Sequence, residues 1–103
     1  GGTAPYLVGR FTHGWKVRPE CKNIRPPPLE YMRSNFYFDA LVFHPPSVRY
    51  LVDVMGGERV VLGTDLAYDM ADTEVVDTLL ASGLSAEEYA NITHRNAQRI
   101  FGI

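Results

Sequence analysis

The sequence predicts an α/β fold that forms part of a (β/α)8 TIM barrel, and three observations lead to this expectation. Strand-like and helix-like segments alternate in the order strand, helix, strand, helix after the first third of the chain. The segment RVVL at 59–62 is apolar without polar alternation, as in a parallel strand buried on both faces. The chain has 103 residues, whereas such a barrel typically needs about 250. We therefore expect a C-terminal portion of a larger α/β protein, incomplete in this chain, or a module that another chain completes.

The first third of the chain is predicted to form a helix and a proline-rich loop. Apolar residues recur at helical spacing between residues 5 and 15, namely Tyr6, Leu7, Phe11 and Trp15. Three consecutive prolines at 26–28 favour an extended, irregular loop over residues 18–28. A short helix is expected to follow over residues 29–33.

The middle of the chain is predicted to form a strand, a helix and a second strand. The aromatic segment 36–43 is β-prone. The proline pair at 45–46 suits the start of a helix, and Gly56 suits its end. The apolar residues of this helix recur at i, i+3, i+4 and i+7, namely Val48, Leu51, Val52 and Met55. The second strand, 59–62, stops at the Gly-Thr-Asp turn of 63–65.

The last third of the chain is predicted to be helical. Asp72 is expected to cap a helix that ends at Gly83. The inner face of this helix is predicted to carry Val76, Leu79 and Leu80. Ser85 and Glu88 match a capping box for the next helix, and Thr93 is expected to cap the last one.

All of these segments are expected to belong to one barrel domain that spans residues 1–103. Residues 1–35 form its helix and proline-rich loop, residues 36–65 its strand, helix and strand, and residues 66–103 its C-terminal helices. No internal repeat or low-complexity segment separates them.

Composition and charge exclude several classes of function. Ten Lys and Arg residues stand against twelve Asp and Glu residues, so the formal net charge is -2 and no summed positive field would attract nucleic acid. The longest apolar segments are far shorter than the roughly 20 residues that a membrane span needs. Cys21 is the single cysteine, so no intramolecular disulfide can form and a reducing, cytoplasmic location is expected.

Asp65 is the principal candidate for chemistry. It directly follows a predicted buried strand and a Gly-Thr turn, and barrels of this kind keep their catalytic groups at the carboxyl ends of the strands. There the carboxylate could bind a divalent metal or exchange a proton with a metal-bound water. The alternative is that Asp65 caps the turn or the following helix. Asp39, at the end of the other strand, is a second candidate, but we interpret it as a hydrogen-bond acceptor in a turn or behind the site.

The remaining polar residues do not form a complete metal site. His13, His44 and His94 occur singly, without an H-x-H or H-E-x-x-H pair, so any metal must take further ligands from elsewhere. Arg10 is the first of several basic residues in the first third of the chain, and its guanidinium could bind a substrate carboxylate through two parallel hydrogen bonds. The alternative for this basic cluster is a solvated surface.

Several separated segments resemble one known family. They are GGTAPYLVGR at 1–10, FYFDALVF at 36–43, LVDVMG at 51–56, RVVLGTD at 59–65 and NAQRIFG at 96–102. Together they are similar to the metal-dependent decarboxylases of the amidohydrolase superfamily, in particular to the aminocarboxymuconate-semialdehyde decarboxylases. The likeness extends over nearly the whole chain.

The resemblance implies a distorted (β/α)8 barrel of the metal-dependent hydrolase type with one divalent metal, usually Zn²⁺. Asp65 matches the last metal ligand of that family, and the remaining ligands would lie upstream of this chain. The family's catalytic histidine would stand just before Gly1. Arg10 matches an arginine that, in dimeric relatives, binds a substrate carboxylate in the neighbouring subunit. The resemblance therefore also implies a homodimer.

The activity that the resemblance implies is decarboxylation of an unsaturated or aromatic carboxylic acid, such as aminocarboxymuconate semialdehyde, by means of metal-activated water. Asp65 would act as ligand and proton relay, and the chain alone is expected to be inactive. The triplet LAY at 66–68 replaces the Tyr-Pro-Phe or similar triplet that relatives usually carry there, so the shape of the loop and the substrate stay open. Two alternatives remain: a metal-dependent hydrolase of the same superfamily, and a non-enzymatic barrel remnant that acts as an interaction module.

Overall fold

The computed structural model describes residues 1–103. Six α-helices and two short β-strands follow one another as α1 (Ala4–Val17), α2 (Pro28–Asn35), β1 (Phe38–Asp39), α3 (Pro45–Met55), β2 (Val60–Val61), α4 (Val75–Leu80), α5 (Ala86–Ala90) and α6 (Asn96–Phe101). The chain also contains single 3-10 turns at Pro19–Cys21 and Gly57–Arg59 and a π-helical turn at Asn91–Arg95, between α5 and α6. No helix has the length and apolar character that a membrane span requires.

The two strands pair in parallel, with Phe38 opposite Val60 and Asp39 opposite Val61. The Ala40 N–H continues the ladder by donating to Val61 O at 2.8 Å. Helix α3 lies between β1 and β2 in the chain, so the predicted strand-helix-strand unit is present. Because parallel strands point the same way, the residues that follow each strand lie at one edge of the sheet.

Helix α3 supplies the largest share of the buried core. It buries all four apolar residues that its spacing predicts, namely Val48, Leu51, Val52 and Met55. They belong to one cluster with the other buried apolar residues: Val8, Phe38, Ala40, Val60, Val75, Leu79 and Ile92. The predicted helix and its buried face are therefore confirmed.

A π-helical turn ties the C-terminal helices to β2. The Asn96 N–H bonds the carbonyl five residues back, which widens the helix at Ile92. The Ile92 carbonyl accepts a hydrogen bond from the Leu62 N–H at 2.9 Å. The buried Asn96 amide adds bonds from Nδ2 to Gly57 O at 2.8 Å and to Val60 O at 2.7 Å. The C-terminal helical segment thus provides hydrogen-bond partners for backbone groups before, within and after β2.

Arg49 joins α3 to α5 through a partly buried ion pair. Its guanidinium donates to both Glu88 oxygens, at 2.7 and 2.8 Å, and to Asp53 Oδ1 at 2.7 Å. The hydrogen bonds from Arg49 are the main reason that the pKa of Glu88 falls to about 2, with a further contribution from the Ser85 N–H. Ser85 and Glu88 form the predicted capping box at the start of α5, so this prediction is confirmed.

Helix α1 packs against α2 and α3. Its prediction over residues 5–15 is confirmed, with one further residue at its N-terminal end and two at its C-terminal end. The Tyr50 hydroxyl of α3 donates to Pro5 O at 3.1 Å. At the other end of α1, Trp15 Nε1 donates to Ile24 O at 3.0 Å. This bond holds the proline-rich loop against the helix.

Both strands are much shorter than predicted. The prediction of a strand over 36–43 is wrong outside Phe38–Asp39, because the Phe36 N–H belongs to the end of α2 and Phe43 has a left-handed φ of 55°. Of the second predicted strand only Val60–Val61 pairs, and the arginine before it lies in a 3-10 turn. β2 stops where the next N–H, that of Leu62, bonds the Ile92 carbonyl and not another strand.

Two predictions for the C-terminal helices are wrong. Helix α4 buries Val75 and Leu79, whereas Val76 is 46% exposed and Leu80 is 65% exposed. Residues four apart share a helix face. The buried face of α4 is therefore the one that carries Val75 and Leu79. Thr93 does not cap the last helix, because its Oγ1 donates to the carbonyl four residues back at 2.8 Å.

Candidate functional site

The carboxyl ends of the two strands bring two loops together. Gly63 lies so close to Asp39 that a β-carbon on the glycine would stand 3.1 Å from the Asp39 β-carbon. A larger side chain at position 63 would therefore push the loops apart. Of the two carboxylates predicted at the strand ends, Asp39 is the last residue of β1 and Asp65 lies in the loop after β2.

Asp39 uses its carboxylate within the fold. Oδ1 accepts a hydrogen bond from the Leu41 N–H at 3.1 Å. The bond from Leu41 is the contact of an Asx turn. The interpretation of Asp39 as a turn acceptor is therefore confirmed.

Asp65 leaves its carboxylate free. The residue is exposed, and its carboxylate forms no hydrogen bond or ion pair within the chain. Its backbone is left-handed, with φ of 56°, a conformation that costs roughly 1–3 kcal/mol for a residue other than glycine. The main chain closes the turn instead, since the Tyr68 N–H donates to Asp65 O at 3.2 Å.

The loop that begins at Asp65 is closed at its base by Asp72. The Asp72 N–H donates to Thr64 O at 2.8 Å, and its Oδ1 accepts from the Glu74 N–H at 2.8 Å. Between these points Ala67 is a second left-handed residue, with φ of 82°. The prediction that Asp72 caps the next helix is wrong in detail, because α4 begins at Val75 and Asp72 forms an Asx turn ahead of it.

The burial of Asp72 is the feature of this site that the sequence analysis missed. The residue is 8% exposed, and Oδ2 is buried without a hydrogen-bond partner. The sequence offers one signal, an acid shortly before a helical segment, but in that position an acid is ordinarily an exposed cap. Burial depends on how the loop folds back on Thr64, which spacing does not encode.

Arg10 is exposed on α1 and lines a groove of about 400 Å³ with His13, Gly14, Val17 and Arg18. A second cavity, of about 370 Å³, is lined by residues of α1, α3 and the loops before them: Gly2, Pro5, Tyr6, Leu41, Val42, Ser47, Tyr50 and Leu51. Asp65 lines neither cavity. The structure therefore does not bring Arg10 and Asp65 into one pocket.

Within this chain, Asp65 fits a metal as one ligand of a larger set. No three His, Cys, Asp or Glu side chains gather in a way that could hold a metal ion. His44 and His94 each lie 3.0 Å from a neighbouring hydroxyl, and Cys21 is an exposed free thiol. A free carboxylate on a closed turn is a suitable donor for a divalent cation.

Comparison with known proteins gives one family. Residues 3–103 match the family described as Amidohydrolase. The chain is 35% identical over 98 residues to the 2-amino-3-carboxymuconate-6-semialdehyde decarboxylase of Dictyostelium discoideum. The match covers 93% of this chain and 26% of that protein, so the chain spans about a quarter of the length of this relative.

Solved structures show the same fold. The 5-carboxyvanillate decarboxylase of Sphingomonas paucimobilis matches with a TM-score of 0.83 and 24% identity, over 98% of this chain and 31% of that one. A dihydroxybenzoic acid decarboxylase of Polaromonas sp. JS666, solved with manganese and the inhibitor 2-nitroresorcinol, matches with a TM-score of 0.78 and 22% identity, over 97% and 31%. The predicted fold class is confirmed: the chain folds as about a third of a TIM barrel of this type.

Proposed function

The chain belongs to the amidohydrolase family, and on that premise we propose that it forms part of the active site of a metal-dependent carboxy-lyase. The whole protein would release the carboxyl group of an unsaturated or aromatic acid, similar to aminocarboxymuconate semialdehyde, as carbon dioxide. The observation that carries this proposal is the free carboxylate of Asp65 beyond the carboxyl end of β2. Barrel enzymes hold their catalytic groups at that end of the strands. Residues 1–103 would form part of one barrel domain.

Asp65 would hold a divalent metal together with ligands from outside this chain. We favour Zn²⁺, which the family resemblance implies, with Mn²⁺ as the metal of the neighbour from Polaromonas. When bound, the metal would supply a Lewis acid that polarises its oxygen ligands. A carboxylate that binds through one oxygen keeps the other to accept and return a proton. The closed turn behind Asp65 limits the backbone freedom that is lost when a cation binds.

Arg10 would bind a carboxylate of the substrate in a neighbouring subunit of a homodimer. Its side chain is exposed in the α1 groove, so its guanidinium donors are accessible to an outside acceptor. Arg10 and Asp65 line no common pocket within one chain, and a second subunit would let them act on one substrate. A guanidinium grips a carboxylate through two parallel N–H···O bonds.

The net charge of the chain and its free cysteine support the proposed ligand class and location. A net charge of -2 favours a small carboxylic acid held by a local arginine over nucleic acid or a membrane surface as ligand. The exposed free thiol of Cys21 is consistent with a reducing, cytoplasmic location.

The test compares Asp65→Ala and Asp65→Asn with Asp69→Asn in the protein that joins this chain to the rest of the barrel. Asp69 is an exposed acid of the same loop and serves as the matched control. Each protein is stripped of metal and reloaded with Zn²⁺ or Mn²⁺. Bound metal and carbon dioxide release from aminocarboxymuconate semialdehyde and 2,6-dihydroxybenzoate are then measured.

Loss of the Asp65 carboxylate should weaken metal binding and turnover by at least about 100-fold, because residues behind a metal ligand already cost 10–100-fold. Asp69→Asn should match the wild type. Unchanged metal content and turnover in Asp65→Ala would refute the assignment of Asp65. A wild type that binds metal but releases no carbon dioxide would favour a hydrolase of the same superfamily, and one that binds no metal would favour the interaction module.

A further inference from the structure

Asp72 connects the two ends of the Asp65 loop. Its N–H donates at 2.8 Å to the carbonyl of Thr64, the residue immediately before Asp65. Its side-chain Oδ1 accepts from the Glu74 N–H at 2.8 Å, just ahead of α4. We propose that Asp72 is a positioning residue that fixes the direction of the Asp65 carboxylate, an inference that rests on the proposed function.

The loop requires such an anchor because its backbone is strained. Asp65 and Ala67 have φ angles of 56° and 82°, which residues other than glycine seldom adopt. Strained conformations persist only where the surrounding contacts enforce them. Inside the loop the Tyr68 N–H donates to Asp65 O at 3.2 Å and the Ala71 N–H to Tyr68 O at 3.1 Å, near the long limit for such bonds. The shorter bonds of Asp72 are the stronger restraint.

The buried carboxylate of Asp72 exceeds what an Asx turn needs. An exposed Asn, Asp or Ser can form the same turn, yet Asp72 is 8% exposed and its Oδ2 is buried without a donor. A buried oxygen without a donor is unfavourable, so stability alone would favour another residue here. Burial surrounds the side chain with packed atoms, which restrict its rotation and so hold the turn closed. The loop before it then keeps one conformation.

The test uses the protein that joins this chain to the rest of the barrel, with Asp72→Ala, Asp72→Asn and the matched control Ser82→Ala. Ser82 is also a buried polar residue, at 4% exposed, and its Oγ donates to Thr78 O at 2.6 Å. Its loss removes a buried hydrogen bond without touching the Asp65 loop. The measurements are the amide hydrogen exchange of Tyr68 and Ala71 and the Mn²⁺ affinity of the metal-free protein by electron paramagnetic resonance.

Asp72→Ala should speed exchange at Tyr68 and Ala71 by about 10-fold, as expected for the loss of one hydrogen bond. It should also weaken Mn²⁺ binding by about 10-fold, the lower end of the range for residues behind a metal ligand. Asp72→Asn retains the Oδ1 acceptor and should recover most of both losses. Ser82→Ala should lower the Tm and leave both quantities unchanged.

The outcomes separate this inference from the proposed function. Unchanged exchange in Asp72→Ala overturns the positioning role, whatever the metal affinity. Faster exchange with unchanged Mn²⁺ affinity overturns it as well, because the loop would then move without consequence for Asp65. Faster exchange in a protein whose wild type binds no Mn²⁺ refutes the proposed function and with it the role of Asp72 toward a metal, leaving Asp72 as an anchor of the loop only.

Discussion

Replacement of Glu88 by Gln tests the ion pair that joins α3 to α5. Arg49 donates to both Glu88 oxygens at 2.7 and 2.8 Å, and each of the two side chains is 28% exposed. These hydrogen bonds lower the pKa of Glu88 from its ordinary value of 4.5 to about 2. Because Gln also serves at the third position of a capping box, the substitution removes the charge and retains the cap.

The pKa of Glu88 sets the size and sign of the expected effect. A carboxyl group with a lowered pKa stabilises the folded protein above its unfolded pKa, and this stabilisation is lost as the pH falls through the folded pKa. The fall from 4.5 to about 2 corresponds to about 3 kcal/mol at 1.36 kcal/mol per pH unit. Since the pair is partly exposed, solvent screening reduces this to about 1–2 kcal/mol.

Urea unfolding of the wild type and of Glu88→Gln as a function of pH measures the difference. The wild type should be more stable by about 1–2 kcal/mol at neutral pH, and this advantage should vanish between about pH 5 and about pH 2. Asp53→Asn is the control, because Asp53 also bonds Arg49 at 2.7 Å but is 59% exposed, and its loss should cost at most about 0.5 kcal/mol. Parallel stability curves for the wild type and Glu88→Gln over this pH range would refute the reasoning.

Three further substitutions probe the packing of α4 and the attachment of the C-terminal helices. Leu79→Ala should destabilise the protein by about 2–5 kcal/mol because Leu79 is 0% exposed, whereas Leu80→Ala should change the free energy of unfolding by less than about 0.5 kcal/mol. Equal losses in urea unfolding would contradict the observed face of α4. Asn96→Ala should cost about 2–3 kcal/mol, because the carbonyls of Gly57 and Val60 lose their amide donor. An unchanged unfolding midpoint in this variant would contradict the anchoring role.

Helix α3 could be predicted from the sequence because the spacing of its apolar residues determines which face is buried. The spacing of Val48, Leu51, Val52 and Met55 admits a single apolar face, and that face is buried. In α4 two rows compete: Val76 with Leu79 and Leu80 suits helical spacing as well as Val75 with Leu79 does. Which row is buried depends on how α4 is oriented against the other elements of the core. The sequence of the helix alone does not determine that orientation.

The lengths of the strands and the π-helical turn could not be predicted from the sequence, because they too depend on contacts with other elements. The aromatic segment 36–43 has the composition of a strand, but β-propensity reports how side chains fit a sheet and not whether a partner strand is present. The Leu62 N–H illustrates this, since it bonds the helical carbonyl of Ile92 and not another strand. The widened turn that frees this carbonyl has no sequence signature of its own.

The two strand-end carboxylates show why the candidate site could be predicted only in part. Asp39 is the last residue of β1 and Asp65 lies in the loop after β2, so both carboxylates are at the carboxyl edge of the sheet. After β1, the N–H of Leu41 lies within reach two residues on, so a local Asx turn occupies Asp39. After β2, Asp65 and Ala67 are both left-handed, and the main chain closes the turn without the side chain. Because the main chain closes this turn, the Asp65 carboxylate is not needed for it and forms no hydrogen bond within the chain, which the position of an acid after a predicted strand does not reveal.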